Sequence, residues 1–167
     1  TGGLHETELI VIAARPGSGK TSLGMNIVEN VSLRARLPVL VFTMEMGSND
    51  LTLRMLCGRS GADFHQLRSG HGSTRDLELV KAMMPEVASA PIYFDETPAQ
   101  DITEMRSKAR RCVKQYGVKL VVVDYLQLGQ ARNTARKNDN RAIEVAAISS
   151  GLKAMAKELK IPVLALS

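Results

Sequence analysis

The stretch from Leu9 to Asn26, LIVIAARPGSGKTSLGMN, decides the fold. Leu9 to Ala13 is an apolar run of the length of a buried parallel strand. The far end has a helical period, with Leu23, Ile27 and Val31 recurring every fourth residue. Between them, Ala14-Arg15-Pro16-Gly17-Ser18-Gly19-Lys20-Thr21 has the Walker A spacing, with Ala at the first position where the strict motif has Gly. Gly17 and Gly19 let the backbone turn so that several N–H groups face one anion. A helix beginning near Lys20 aims the positive end of its dipole at the same point. Lys20 is within reach of β- and γ-phosphates, and the Thr21 hydroxyl is placed to bind Mg²⁺. The strand before the loop and the helix after it distinguish this from a ligand-free Gly-rich turn. The expected ATP-binding residues are Ala14, Arg15, Pro16, Gly17, Ser18, Gly19, Lys20, Thr21 and Ser22.

Outward from this loop the same punctuation recurs. Pro38, Pro91 and Pro162 each precede a short apolar run: Val39–Thr43, Ile92–Phe94 and Val163–Leu166. Proline is tolerated at a strand entry because no ladder bond is needed from it there. Leu120–Val123 is a further run without the proline. Strands alternating with helix-length stretches imply parallel crossovers, and so an α/β P-loop NTPase fold, a mainly parallel sheet with helices on both faces. Within Thr103–Tyr116, Met105, Ala109, Cys112, Val113 and Tyr116 form an apolar stripe beside a basic row of Arg106, Arg110 and Lys114. Within Asn140–Lys160, Val145, Ile148, Leu152, Met155 and Leu159 form another. Both stripes are expected to face the core. Gly58–Arg75 lacks periodicity and is expected to be loop-rich, and the three histidines have no ligand or general-base spacing.

At 167 residues, 44% apolar and 23% charged, the composition is that of one globular domain. No apolar run approaches the ~20 residues of a membrane helix, and no signal peptide precedes the first strand. Cys57 and Cys112 are isolated, which fits reduced core thiols and a cytoplasmic setting. The chain begins at Thr1 without Met, as a fragment would. Its net charge of +5 is concentrated: residues 101–141 carry ten Lys/Arg against four Asp/Glu, while the remainder sums to −1. Such a segment suits a polyanion-facing surface or a merely solvated face.

Hydrolysis needs a Mg²⁺-side carboxylate and a group that activates water. Leu120-Val121-Val122-Val123-Asp124 is the Walker B pattern, four apolar residues ending in Asp at the tip of a buried strand. Ligands of open parallel sheets sit at such tips. Glu45, in Thr43-Met44-Glu45-Met46, also lies just past an apolar strand and is a candidate for the second role. Asp95 and Glu96, at the end of another strand, are rivals for it.

Together, AARPGSGKTSLGMN, FTMEM, VVVDYLQL and the closing ISSGLKAMAKELKIPVLALS resemble the ATPase domain of DnaB-type replicative DNA helicases. The combination of Met44-Glu45-Met46 with Asp124-Tyr125-Leu126-Gln127-Leu128 is far more specific than Walker A alone. The resemblance runs from Thr1 to Ser167 and is weakest over Gly58–Ser89. It implies a RecA-like fold, a homohexameric ring and ATP-driven 5′→3′ movement on single-stranded DNA, with a primase and a helicase loader as partners. It makes Glu45 the catalytic base, Lys20 and Thr21 the phosphate and Mg²⁺ ligands, and Asp124 the Walker B acid. By the same resemblance residues 1–167 are the N-terminal and central part of the domain. The γ-phosphate sensor, second DNA loop and finger residues would follow Ser167, so the piece alone is expected to hydrolyse ATP poorly.

The polar segment Gly129–Arg141 occupies the position of that family's channel-facing loop. Arg132, Arg136, Lys137 and Arg141 would contact a phosphate backbone there, without aromatic stacking. The alternatives are an ATP-gated assembly or binding module of the RecA or KaiC kind, and a metabolic P-loop kinase, for which no acceptor site or basic lid is evident.

Overall fold

The computed structural model describes residues 2–15, 17–98, 100–124 and 139–167, with side chains in the last segment from residue 145 onward. Five strands, β1 (Leu9–Ile12), β2 (Val39–Thr43), β3 (Ile92–Asp95), β4 (Leu120–Asp124) and β5 (Val163–Leu166), form one sheet. Their order is β1-β5-β4-β2-β3, and every neighbouring pair is parallel. Each strand coincides with one of the apolar runs, and β2, β4 and β5 are buried along their whole length. Runs this apolar are stable only when both faces of the sheet are covered.

The two faces carry two cores, divided by the alternation of side chains along each strand. Val39, Val41, Leu120, Val122, Leu164 and Leu166 face one core, with Met25, Val28, Leu51 and Met55 packed on them. Those residues come from α1 (Lys20–Glu29) and α2 (Ser48–Ser60), and α4 (Thr74–Ala88) adds Val87. Leu40, Phe42, Val121, Val123, Val163 and Ala165 face the other, under α5 (Ile102–Tyr116) and α6 (Asp139–Leu159). The expectation of helices on both faces is met.

The α1 helix departs from its predicted stripe. Its buried residues are Gly24, Met25 and Val28, while Leu23 is 50% exposed. The reason is close approach to the sheet: a Cβ at Gly24 would lie 2.8 Å from Leu166 Cδ1. The face carrying the glycine therefore sits on β5, and the leucine beside it is turned outward. A π-helical turn, Asn30–Arg34, continues the helix, closed by Ala35 N–H donating to Asn30 O and by the buried Ser32 hydroxyl donating to Val28 O.

On the other face the stripes hold with one exception. Met105 and Ala109 of α5 and Leu152 and Met155 of α6 are buried. Tyr116 is 40% exposed instead and stacks on Tyr93 with ring centroids 4.3 Å apart. Two members of the basic row are structural. Arg106 and Arg110 both bind Glu158, joining α5 to α6.

The expected loop-rich Gly58–Arg75 is loop over 61–63 and 69–73 and helical over the rest. It holds the end of α2, the short α3 (Phe64–Arg68) and the start of α4. Side-chain caps create these helices where hydrophobic periodicity is weak. Asp63 accepts from Gln66 N–H ahead of α3, and Ser73 and Asp76 form a reciprocal capping box ahead of α4. Cys57 and Cys112 are free thiols whose pKa values are pushed up by burial. Among the described residues no helix is long and apolar enough to cross a membrane.

Candidate active site

Register sets the site. Ile12 and Asp124 both lie opposite Leu166, and Asp124 lies opposite Thr43, so the C-terminal ends of four strands are level. Beyond β1 the chain is pinned before it turns: Ser167 N–H donates to Ile12 O at 2.8 Å, and Ala14 N–H donates to Ser167 O at 2.9 Å. The loop then closes on itself, with the Ser18 N–H and hydroxyl both donating to Arg15 O at 3.2 and 2.7 Å. Gly17 and Gly19 have φ of 78° and 87°, the left-handed region in which a side chain is strained.

Gly19 caps α1 with no side-chain cap bond, and its first turn carries no acidic residue. Helix-start N–H groups left without a side-chain acceptor, backed by the dipole, make an anion site. Lys20 opens the helix, and its charge acts on the Asp124 carboxyl. Ser22 lines a cavity of about 410 Å³ between α1, α2 and α3, shared with Thr21, Asn26, Arg54 and Phe64. Pro16 lies outside the described residues.

The Thr21 hydroxyl donates to Asp124 Oδ2 at 2.9 Å across 103 positions of sequence. Asp124 is 3% exposed, and its Oδ1 is buried with no hydrogen-bond partner among the described residues. Burial raises the Asp124 pKa and nearby Glu45 raises it further, while the Thr21 bond and Lys20 pull it down. A buried carboxylate with one oxygen unused, beside a hydroxyl, is the donor set that a hard cation fits. Among the described residues no three His, Cys, Asp or Glu cluster as metal ligands. Mg²⁺ characteristically takes one or two protein oxygens and fills its shell with phosphates and water.

Glu45 is exposed in the turn after β2, and the Met44 N–H before it donates to Asp124 O at 2.9 Å. Its rivals are differently placed. Asp95 ends the edge strand β3 and is committed: Lys108 Nζ lies 2.9 Å from its Oδ2, and Gln100 Nε2 and Thr97 N–H donate to its Oδ1. Glu96 is exposed next to Gly47, its Oε2 3.7 Å from where a Cβ on that glycine would lie.

Of the residues expected to meet DNA, Arg132, Arg136 and Lys137 lie outside the described residues. Arg141 falls in the first turn of α6, with its side chain outside the description. The ten basic residues of 101–141 are partly accounted for within the fold, since Arg106, Lys108 and Arg110 all bind carboxylates. Two residues of local importance gave little signal in the sequence. Gly24 lies inside a helix, where a glycine is unfavourable unless packing requires it, and that was its one clue. Gln100, 1% exposed, holds Asp95, and nothing in the local pattern marks it.

A five-stranded parallel sheet with a glycine-rich loop at the end of its outer strand and an acid at the end of its central strand defines a RecA-like P-loop NTPase fold. The model of the DnaB-like helicase C-terminal domain matches residues 1–167, and the chain belongs to that family. It is 39% identical over its whole length to the replicative DNA helicase DnaC of Bacillus subtilis (strain 168), covering 36% of that protein. It is 43% identical to the replicative DNA helicase DnaB of Pasteurella multocida (strain Pm70), again covering 36%. The chain thus spans little more than a third of these relatives.

Among solved structures, a DnaB-like replicative helicase described with its primase interactions superposes with a TM-score of 0.85 at 28% identity, covering 99% of this chain and 39% of that one. A second, described as an ATPase domain, gives 0.84 at 28% identity, covering 98% of this chain and 57% of that one.

Proposed function

We propose that this chain is the ATP-hydrolysing portion of a replicative DNA helicase, acting in the cytoplasm within a homohexameric ring that moves 5′→3′ on single-stranded DNA. The observation that carries this reading is the bond from Thr21 to Asp124, with Asp124 Oδ1 buried and unused. In the proposed reaction the loop N–H groups and Lys20 bind the phosphates of ATP. Thr21 and Asp124 would hold Mg²⁺, which neutralises charge across the β- and γ-phosphates when bound. Glu45 takes a proton from water as the water oxygen bonds to the γ-phosphorus. The bond to the β-phosphate oxygen breaks, and ADP and phosphate leave. Arg132, Arg136, Lys137 and Arg141 contact the DNA backbone electrostatically. A primase and a loader are the partners this reading implies.

The test is steady-state ATP hydrolysis by the full-length protein, with and without single-stranded DNA. Turnover should rise with DNA. Glu45→Gln should keep nucleotide binding and lower turnover by ~10²–10⁴-fold, the usual worth of a general base. Full turnover in Glu45→Gln, with loss in Asp95→Asn or Glu96→Gln, would move the base to β3. Hydrolysis indifferent to DNA would favour an ATP-gated assembly module over a helicase.

A further inference from the structure

Glu45 stands in a turn that nothing in its own chemistry would hold still. Its side chain is exposed, and a glutamate on an untethered loop would spend little time where an attacking water sits. Two hydrogen bonds bracket it. On one side the Met44 N–H donates to the carbonyl of Asp124, at 2.9 Å, so the backbone before Glu45 is tied to the residue that carries the Walker B carboxylate. On the other side the Thr43 hydroxyl donates to Met46 O, at 2.5 Å, closing the turn across Glu45. Thr43 is itself 2% exposed and lies opposite Asp124 in the sheet, so its hydroxyl is fixed by the core below it.

We infer that Thr43 is a positioning residue for hydrolysis: its hydroxyl, by closing the Thr43–Met46 turn, holds the Glu45 backbone in fixed register with Asp124. This rests on the reading of Glu45 as the base. A side-chain to main-chain bond suits the task, because Thr43 is buried at the end of a strand paired on both sides. Among the described residues, the bond that ties the next three to the neighbouring strand is the one from Met44. Without the hydroxyl, Met46 O loses its donor and the turn is free to open while the strand stays paired. The Thr43 hydroxyl is spent on Met46 O, so its effect should fall on turnover and leave nucleotide affinity alone. Displacements of about 1 Å in a reacting group are enough to change rates up to ~10²-fold.

The experiment uses the full-length protein as Thr43→Val, Thr43→Ser, Glu45→Gln and the Thr43→Val/Glu45→Gln double variant. DNA-stimulated kcat is measured beside the dissociation constant of a fluorescent ATP analogue with Mg²⁺. Thr43→Val should lower kcat by roughly tenfold to a hundredfold with the analogue's affinity unchanged within about twofold. Thr43→Ser, which keeps the hydroxyl, should turn over like the parent. In the Glu45→Gln background Thr43→Val should lower kcat no further, because there is no base left to position.

An equal loss in that background would overturn the inference while leaving Glu45 as the base. So would an unchanged kcat, or a fall in affinity matching the fall in rate. Full turnover by Glu45→Gln alone would remove the base itself, a distinct outcome. If Thr43→Val does not melt cooperatively, Thr43→Ala takes its place. Failure of both to fold, with Thr43→Ser intact, would make the hydroxyl a folding element and overturn the positioning role.

Discussion

Asp124 and Asp95 close apolar strands of one sheet, yet the fold treats them in opposite ways. Asp124 receives one hydroxyl bond, from Thr21, and keeps a buried oxygen without a partner among the described residues. Asp95 receives Lys108, Gln100 and the Thr97 N–H. Their pKa values diverge accordingly. Burial raises that of Asp124, and its neighbours do not offset it. Burial acts against Asp95 as well, but the bonds from Lys108 and Thr97 outweigh it and hold its carboxyl below the usual range. A dry carboxylate at a strand tip, with one oxygen unused among the described residues, has room for a further partner. One that is fully paired is finished.

The largest effect that could break this comparison is at Asp124. Asp124→Asn should lower DNA-stimulated turnover by roughly 10²–10³-fold, the scale for losing one preorganised electrostatic group. It should not lower the melting temperature. The folded state holds the Asp124 proton more tightly than the unfolded chain does, so at neutral pH the ionised group works against folding. That penalty disappears as pH falls through the raised pKa. The variant should therefore melt at or above the parent at neutral pH, and the gap should close in acid. A clear drop at neutral pH would mean that the Thr21 bond and the Lys20 charge outweigh the cost of burying Asp124.

Asp95→Asn should do the reverse. Loss of charge-assisted bonds to a part-buried group costs about 1–3 kcal/mol, seen as a lower melting temperature at neutral pH with turnover per folded molecule unchanged. Because its folded pKa is lowered, the stability Asp95 provides is present above the unfolded carboxylate pKa and is lost as pH falls through the folded value. The melting curves of parent and variant should converge below that range.

The smallest effect sharpens the comparison with a third, solvent-facing carboxylate. The bonds from Arg106 and Arg110 lower the Glu158 pKa while its side chain stays 31% exposed. Glu158→Gln should cost about 0.5–1 kcal/mol, and most of that should vanish in high salt, as for exposed pairs generally.

Much of this architecture was legible in the chain. Each strand follows its apolar run, because a strand buried on both faces needs continuous apolar residues and little else. The stripes of α5 and α6 located those helices to within a residue or two. The turn after β1 was legible because Gly17 and Gly19 answer to local backbone geometry. Other parts were less so. The exposure of Leu23 depends on Gly24 meeting Leu166, a contact between distant segments. The short helix α3 and the start of α4 rest on capping side chains, which a search for hydrophobic period passes over.

By itself the sequence determined where backbone must turn, where it must be buried, and that three strand ends carry acids: Glu45, Asp95 with Glu96, and Asp124. Only the tertiary structure decided which of those acids stands beside Thr21 and which is sealed by Lys108. The physical reason is range. Turns, caps and periodicity act over a few neighbouring residues and are written in consecutive letters. The charge state and partners of a carboxylate are set by whatever folding brings to within a few ångströms, and for Asp124 that group comes from 103 positions away.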